Sequence, residues 1–433
     1  MRERGVLYRF VHSHLFFALA CLLLVLFINV IITSIQPESS PLTFFRIEMI
    51  NGTLTGPLIT ILNRSSELVI LAVGMTLVVS CTKGADISVG SVMALTGSVS
   101  IWLLGFGTLT QNNYHVVSYV VPYVVGLLAA LLVGALCGLW HGFLVAKLRI
   151  QPMIATLILL IGGRGVAKIV ANGQINKVDV PSYRWLGNTI QDANGMNPIL
   201  LPTPIFIAII VVIIAAVLLR FSALGMNVQA VGINDRASRI FGLNSAKIIF
   251  IAFIISGMCA AIAGMIATSR IFSIDTQNCG KMIELDAILA VALGGNSLAG
   301  GRFSLSGSVI GAVTIQTLTT VLYSLNVSPD QLPFFKAVVV VIIVVLQSPQ
   351  LRPMANKGAA VVMKLFAGRT QTATTPAIPA VSTEHDAPVE PVAMADDRNL
   401  ADGDQSIGRE GGFTLIPTRC DVGDQSIGRE GGE

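Results

Sequence analysis

The segment Ile248–Thr268 reads IIFIAFIISGMCAAIAGMIAT, 21 residues without a charged side chain. A helix that crosses a bilayer needs about 20 predominantly apolar residues, so this segment predicts a membrane span. The whole chain agrees, because 53% of its 433 residues are hydrophobic, only 12% are charged, and the mean hydropathy is +0.75. A soluble chain carries about 25% charged residues. The composition therefore predicts a protein embedded in the lipid bilayer and argues against a soluble one.

Ten segments are apolar enough to predict membrane helices, which makes the expected fold class an all-α polytopic membrane protein. They are Leu15–Ile35, Leu62–Cys81, Ile87–Leu104, Val117–Leu139, Met153–Val170, Pro204–Leu219, Ile248–Thr268, Leu285–Leu293, Leu305–Leu325 and Phe334–Leu346. Of these, Leu285–Leu293 is short for a full crossing. The first run is longer than the apolar core of about 7–15 residues in a signal peptide, which favours a retained span over a cleaved signal.

The distribution of positive charge predicts the orientation. With the N-terminus inside, 15 Lys and Arg residues fall in predicted inside segments and eight in predicted outside segments. Cytoplasmic loops of membrane proteins carry such an excess. We therefore expect both termini in the cytoplasm, with residues 1–14 as an N-terminal segment, 15–348 as the transmembrane domain and 349–433 as a cytoplasmic tail.

The tail differs in composition from the rest of the chain. Residues 349–433 hold 8 Lys and Arg against 12 Asp and Glu, and the decapeptide GDQSIGREGG occurs twice, at 403–412 and 423–432. Polar, charged segments of low hydrophobicity cannot bury enough apolar surface to fold alone. The tail is predicted to be mostly disordered, with a docking function as the alternative.

The longest predicted inside loop runs from Arg220 to Lys247. Asn234 can cap a short helix that starts after it, and Gly242 suits the left-handed position after its end. This helix is cationic on one side, and it needs a socket because helices this short are marginal in water. It is either a coupling helix that docks on a soluble partner or an ordinary interfacial loop helix. The candidate coupling residues are Gly232, Asn234, Asp235, Arg236, Arg239, Phe241 and Gly242.

Two further clusters are rich in glycine and acidic residues. In TKGADISVG at 82–90, Asp86 precedes an apolar run, where a carboxylate complements a helix N-terminus. In the second cluster, Glu284 and Asp286 are two residues apart and do not share a helix face, so they make a poor acid–base pair. The residues assigned to these structural motifs are Asp86, Ser88, Gly90, Glu284, Asp286, Gly294, Gly295, Gly300 and Gly301.

The sequence shows no motif for ATP binding, catalysis or a metal site. The spacing of Gly295 and Gly300 resembles a phosphate loop, but Gly301 and Arg302 stand where Lys and Ser or Thr are required. The five His and six Cys residues are scattered without metal-ligand spacing or a disulfide pattern. The glycines are therefore predicted to allow a re-entrant turn and close helix packing. We expect neither an enzyme, nor a bound metal, nor a nucleic-acid partner.

In this order, the clusters resemble segments of the permease subunits of bacterial ABC importers for monosaccharides, the family of ribose, xylose and galactose permeases. TKGADISVG at 82–90 is similar to the family's TGGIDLSVG, and QPMIATL at 151–157 with the later Gly163-Arg164-Gly165 is similar to QPFIATL…RG. ELDAI at 284–288, followed by GG at 294–295 and LAGGR at 298–302, is similar to the family's ELDAIAAV…GG.SL.GG. The loop from Ala223 to Gly242 is similar to the family's ATPase-contacting loop.

The resemblance covers about residues 55–348, and GRGVA, ANGQI and ELDAILAV most resemble the galactofuranose-type permeases. It implies a half-transporter. A second permease copy or paralogue would complete the path, a cytoplasmic ABC ATPase would bind ATP, and a periplasmic sugar-binding protein would deliver the sugar. The chain itself would need no cofactor. Lys83 departs from the family, which has Gly at this position.

A neutral sugar needs hydrogen-bonding groups, so polar residues on apolar spans are candidates for the translocation path. They are Asn63, Glu67, Thr76, Ser80, Arg164 and Gln316. Each could equally hold helices together. The rival function is a secondary sugar carrier or another ion-coupled transporter, which would typically show internal symmetry or a proton relay. Residues 88–99 faintly resemble 304–313, but the spans hold few acidic residues.

Overall fold

The structure is a computed structural model that describes residues 14–35, 44–50, 52–105, 107–110, 113–116, 122–178, 180–188, 200–325 and 327–347. The predicted disordered tail and nearly all of the predicted N-terminal segment lie outside these residues. Thirteen α-helices are present in the described part of the chain. They are α1 His14–Ile35, α2 Pro57–Thr82, α3 Val89–Leu104, α4 Tyr123–Gly142, α5 Pro152–Val170, α6 Arg184–Gly187, α7 Thr203–Phe221, α8 Leu224–Ile233, α9 Asp235–Ile240, α10 Ser245–Ile271, α11 Ile283–Leu293, α12 Leu305–Ser324 and α13 Leu332–Gln347.

Each of the ten predicted apolar segments overlaps one of these helices, so the prediction of a mainly helical membrane protein is confirmed. By length and composition, six helices of the described residues can cross a membrane. They are α2, α4 with its π-helical end Phe143–Lys147, α5, α7, α10 and α12. The apolar stretches of α1, α3, α8 and α13 are shorter.

Helices α2 and α10 form the centre of the domain. Helix α10 packs against α2, α3 and α4, and small residues let the backbones approach closely. Gly74 of α2 lies against the Cα of Ser256, and Gly138 of α4 lies against the backbone of Phe253. Both α2 and α10 are therefore mostly buried, whereas α4, α5 and α7 expose most of their apolar side chains, as suits a surface in contact with lipid.

Short strands are also present, and the predicted all-α fold class did not include them. The hairpin of β1 Glu48–Ile50 and β2 Thr53–Thr55 pairs Met49 with Leu54. A second antiparallel sheet has the order β4-β3-β5-β6. Its strands are β3 Gly107–Thr110, β4 Asn113–Val116, β5 Asn176–Lys177 and β6 Ser273–Ile274. None exceeds four residues, so these strands connect helices and form no core of their own.

Helix α3 begins in the interior of the domain. After α2 ends at Thr82, the chain turns back along it, and the Ser256 hydroxyl donates to Asp86 Oδ2 at 3.0 Å. Since Ser256 also contacts Gly74, Asp86 lies level with a residue eight positions before the end of α2. At 1.5 Å per residue this depth is about 12 Å. Residues 83–88 are thus a re-entrant segment that brings the start of α3 into the membrane domain.

Helix α11 is the second helix that starts inside the domain, and we call α3 and α11 the half-helices. Its 11 residues are about 16 Å long, half of the roughly 30 Å hydrocarbon layer. Its first turn touches the first turn of α3, since Glu284 lies against Gly90. Its far end leads to Gly301, whose N–H donates to the Ser80 carbonyl near the end of α2. The two half-helices therefore start together and run to opposite ends of the domain.

Candidate coupling and translocation site

The loop helix α9 has the terminal geometry that its sequence predicts. The Asn234 side chain accepts a hydrogen bond from Ala237 N–H at 3.0 Å. At the other end Gly242 has a φ of +82°, and the N–H groups of Gly242 and Leu243 donate to the carbonyls of Arg239 and Ser238, both at 3.0 Å. This is the Schellman arrangement that ends a helix with a left-handed residue. Two caps thus hold a helix of only six residues.

The surface of α9 is apolar at its tip and charged along its side. Ile240 and Phe241 are 84% and 85% exposed, although large apolar side chains are normally buried. Arg239 forms an ion pair with Asp235 at 2.9 Å and donates to Ser245 at 2.7 Å. Within the described residues the exposed Arg236 guanidinium has no hydrogen bond or ion pair. Arg236, Ile240 and Phe241 are therefore the groups available to a partner.

Helix α9 follows a tightly packed contact, which we call the α2–α8 junction: Ser80, Lys83, Gly232, Ile233 and Gly301. A methyl group on Gly232 would overlap the Ser80 carbonyl, which also accepts the Gly301 N–H at 2.9 Å. Lys83 Nζ donates to the Ile233 carbonyl at 3.2 Å. Displacement of α9 would therefore act directly on the end of α2 and on the turn after α11.

Lys83 adopts the left-handed conformation, with a φ of +60° and a ψ of 28°, at the C-terminal cap of α2. Glycine populates this region without steric cost, which gives a physical reason for the Gly that the family resembled by this segment has at this position. In this chain the lysine side chain contributes a contact in return, because its ammonium group lies at the C-terminal end of α8. A cation is favourable at that end of a helix.

Asp86 is buried where α3 starts. Its Oδ1 accepts hydrogen bonds from the N–H of Ser88 at 3.0 Å and from the Ser88 hydroxyl at 2.6 Å. The Ser256 hydroxyl bonds the other oxygen. Asp86 thus lies at the N-terminus of α3 and joins α3 to α10. Sequence reasoning missed Ser256, although Ser256, Ala260 and Gly264 show the spacing of small residues typical of a close helix contact.

The first turns of α3 and α11 meet at Gly90, Gly280 and Glu284. A methyl group on Gly90 would overlap both the Gly280 carbonyl and the Glu284 carboxylate. Glu284 is 9% exposed, and its Oε2 has no hydrogen-bond partner within the described structure. Asp286, two residues later, instead bonds Lys336 of α13 at 2.7 Å. The two carboxylates therefore serve different contacts, as their spacing indicates.

Arg164 of α5 holds the loop that leads into α11. Its Nη1 donates to the carbonyls of Thr276, Gln277 and Cys279 at 3.1–3.3 Å, and its Nη2 donates to the Gly280 carbonyl at 3.1 Å. Four carbonyls on one guanidinium fix the backbone of this loop. The structure thus gives Arg164 a positioning contact; a direct contact with a transported molecule stays a prediction.

The other polar residues predicted for the path fall into separate groups. Asn63 and Glu67 of α2 both contact Arg270 of α10, Glu67 at 3.1 Å. Thr76 is fully buried and shares a 2.6 Å hydrogen bond with Ser308 of α12, whereas Ser80 bonds the Thr76 carbonyl. Gln316 is half-buried on α12. The contacts with Arg270 and Ser308 join helices, the Ser80 bond lies within α2, and the structure does not gather the six residues into one site.

The remaining glycines shape the turn between α11 and α12. Gly294 packs on Gly307, which brings the two helices into backbone contact. Positive φ values occur at Gly295, Gly300 and Gly301. Gly301 of this turn belongs to the α2–α8 junction, together with Lys83 of the first cluster and Gly232 of α8. Among the described residues, no group of His, Cys, Asp and Glu side chains could hold a metal ion.

Comparison with known proteins places this chain among transporter subunits. Residues 58–346 match the family model described as branched-chain amino acid transport system / permease component. This range includes helices α3 to α12 and nearly all of α2 and α13. The galactofuranose transporter permease protein YtfT of Escherichia coli K12 is 41% identical over 305 residues, covering 70% of this chain and 83% of that protein.

Two further relatives have similar coverage. The fructose import permease protein FruF of Bifidobacterium longum NCC 2705 is 39% identical over 308 residues, with 70% of this chain and 81% of that protein covered. The ribose import permease protein RbsC of Escherichia coli K12 is 35% identical over 295 residues, with 67% and 85% covered. The region matched by the family model contains α9 and both half-helices.

Proposed function

The chain belongs to this family of ABC importer permeases, and on that premise we propose that it is the membrane subunit that carries a monosaccharide into a bacterial cell. It is a multi-pass protein of the inner membrane. The observation that carries the proposal is the capped helix α9, which exposes Ile240 and Phe241. This helix directly follows the α2–α8 junction, which contacts both α2 and the turn after α11. Such a helix suits docking on an external motor.

We propose that the motor is a separate cytoplasmic ABC ATPase, which binds the ATP. Closure of the ATPase would push α9. The α2–α8 junction would pass this displacement to the end of α2 through Ser80 and to the turn after α11 through Gly301. Because α11 meets α3 at Gly90, the displacement would reach the interior of the membrane domain. A second permease copy or paralogue would supply the other half of the path, and a periplasmic sugar-binding protein would deliver the sugar.

We further propose ten spans with both termini in the cytoplasm. Each of the ten predicted segments overlaps a helix, and in this proposal α3 and α11 would each complete a crossing together with a non-helical stretch. The excess of positive charge on the predicted inside segments supports the orientation. As cargo we propose a monosaccharide, with galactofuranose as the first candidate, because the relatives named above are permeases for galactofuranose, fructose and ribose.

The test is co-purification of the chain with its co-expressed ATPase in mild detergent, combined with uptake of radiolabelled sugar. Ile240→Ser, Phe241→Ser and Arg236→Glu each alter an exposed group of α9 without touching the Asp235–Arg239 ion pair. Met49→Ser is the matched control, because Met49 is 64% exposed but lies in the hairpin before α2. We expect the α9 variants to lose the ATPase and the control to retain it.

The possible results separate the alternatives. Loss of the ATPase in the α9 variants, with ATP-dependent uptake by the unaltered chain, supports both the importer and its docking helix. Retention in all variants would disprove the docking surface while leaving the importer in place. Uptake that follows a sodium or proton gradient, with no ATPase recovered, would establish a secondary carrier instead.

A further inference from the structure

A polar cavity opens at the end of the domain opposite to α9. Its volume is about 250 Å³, and it lies between the outgoing end of α5 and the loop before α11. The polar residues around it are Lys168, Gln174, Asp275, Thr276, Gln277 and Asn278. Helix α10 starts next to α9 and ends just before this loop. Its 27 residues are about 40 Å long, so the cavity and α9 lie on opposite sides of a membrane.

The lining of the cavity suits a small neutral molecule with several hydroxyl groups. Lys168 and Asp275 contribute one positive and one negative charge, and the amides of Gln174 and Gln277 offer both donors and acceptors. Within the described structure, the side chains of Lys168, Gln174 and Gln277 make no hydrogen bond or ion pair. Their bonding groups are therefore available to a ligand. A charged ligand would find no excess of opposite charge.

The loop that forms one wall is fixed in advance. Asp275 Oδ1 accepts the N–H groups of Gln277 and Asn278, and Oδ2 accepts the Asn278 amide at 2.6 Å. Arg164 of α5 donates to four carbonyls of the same loop. A ligand that binds to a preorganised wall pays less conformational entropy than one that must order a mobile loop.

We propose that this cavity is an entry vestibule that binds one monosaccharide on the extracytoplasmic side. The proposal rests on the proposed function for its choice of ligand. The loop wall continues to Gly280, which lies against Gly90 where the half-helices meet. A sugar in the vestibule therefore contacts the loop that leads to this meeting point, ahead of the membrane interior.

Saturation-transfer difference NMR tests the vestibule on the complex of this chain and its ATPase in lipid nanodiscs, without a sugar-binding protein. Ribose, fructose and galactose serve as probes. The variant Gln174→Ala/Gln277→Ala removes two side chains that hold no structural bond, and Lys168→Met removes the cation. Lys177→Met is the matched control, since Lys177 is exposed nearby but does not line the cavity. We expect at least one probe to bind the unaltered complex.

In the double variant the signal of that probe should fall about fivefold or more, since two hydrogen bonds are lost, and Lys177→Met should leave it unchanged. No signal from any probe in the unaltered complex, or an equal signal in the double variant, would overturn the vestibule. A sugar-binding protein is then added in a separate measurement of ATPase activity. If the double variant leaves the sugar signals unchanged but weakens the stimulation of this activity, the surface is a protein contact and no vestibule. ATP-dependent uptake by the unaltered chain is measured separately, so failure of the vestibule is distinguishable from failure of the importer.

Discussion

Gly90 lies at a point of the membrane domain that has no space for a side chain. An alanine there would overlap the Gly280 carbonyl and the Glu284 carboxylate, and two half-helices would have to separate to accommodate it. Overpacking of an interior costs about 1–3 kcal/mol. We expect Gly90→Ala to lower the thermal midpoint of the purified permease. Gly162→Ala is the control, because nothing lies within 4 Å of that position. Equal midpoints in the two variants would contradict the close contact.

Lys83 combines an unfavourable backbone conformation with a favourable side-chain contact. A left-handed non-glycine residue costs roughly 1 kcal/mol, and a hydrogen bond such as that from Nζ to the Ile233 carbonyl contributes about 0.5–1.5 kcal/mol. Lys83→Met keeps the strain and loses the bond, whereas Lys83→Gly loses the bond and relieves the strain. We expect Lys83→Met to be the less stable variant by thermal unfolding in detergent. The reverse order would show that the backbone is unstrained.

Single residues show where sequence reasoning stops. Asn234 and Gly242 could be assigned to the two ends of α9 because caps depend on local sequence. Glu67 and Arg270 pair across 203 positions of the chain, and nothing local to either residue indicates the other. A polar residue on an apolar span is a candidate for the path until its neighbour is known. Tertiary contacts alone distinguish helix packing from a contact with cargo.

At the scale of the element, α9 depends on its caps because six residues cannot sustain a helix alone. Asn234→Ala removes a cap of about 1 kcal/mol, which corresponds to about fivefold weaker binding of the ATPase. Asn244→Ala is the matched control, since Asn244 caps the long helix α10 through Lys247 N–H at 3.1 Å. We expect titration of purified ATPase to show weaker binding for Asn234→Ala alone. Equal affinities for both variants would disprove the role of the cap.

The loop before α11 has a predicted pH dependence. Partial burial opposes ionisation of Asp275, but hydrogen bonds from the Asn278 side chain and from the Gln277 and Asn278 N–H groups outweigh it and lower the pKa of the carboxyl. The ordinary pKa of Asp is about 3.9. Because the folded loop favours the ionised carboxylate, Asp275 stabilises the loop at pH values above its ordinary pKa. This stabilisation is lost as the pH falls through the lowered pKa of the folded loop.

Hydrogen exchange of residues 275–281, corrected for intrinsic rates, measures this effect. Protection should be constant near neutral pH and should decline below about pH 4. Asp275→Asn should show reduced protection already at neutral pH and no step on acidification. A step of the same size in Asp275→Asn would assign the transition to another group.

Hydropathy located the helices but could not reveal their depth. Every predicted span overlaps a helix because apolar composition is a property of the segment itself. That α3 and α11 start inside the domain depends on Ser256 and Gly90, which lie in other parts of the sequence. Residues 117–121 of the predicted span from Val117 lie outside the described residues. The sequence did not predict the short strands, because two to four residues are too few to show the alternation of apolar and polar residues that indicates a strand.

At the scale of the whole molecule, the arrangement of the transporter follows from the length of α10. This helix of about 40 Å exceeds the roughly 30 Å hydrocarbon layer. Arg236 precedes it, and strand β6, whose Ser273 pairs with Lys177, follows it. The ten-span arrangement therefore requires that Arg236 and Lys177 face different compartments. With the excess of positive charge inside, we expect Arg236 to face the cytoplasm.

Single cysteines at the two positions test this arrangement in a Cys279→Ser/Cys420→Ser background, since the other four cysteines are buried. A membrane-impermeant maleimide should label Lys177→Cys in intact spheroplasts and Arg236→Cys only after permeabilisation. The inverse pattern would reverse the orientation and remove α9 from the side on which an ATPase can bind. Labelling of both cysteines from one side would contradict the crossing of α10 itself. The expected pattern would place the docking helix and the vestibule at opposite ends of one continuous helix, which is the arrangement that import from outside to inside requires.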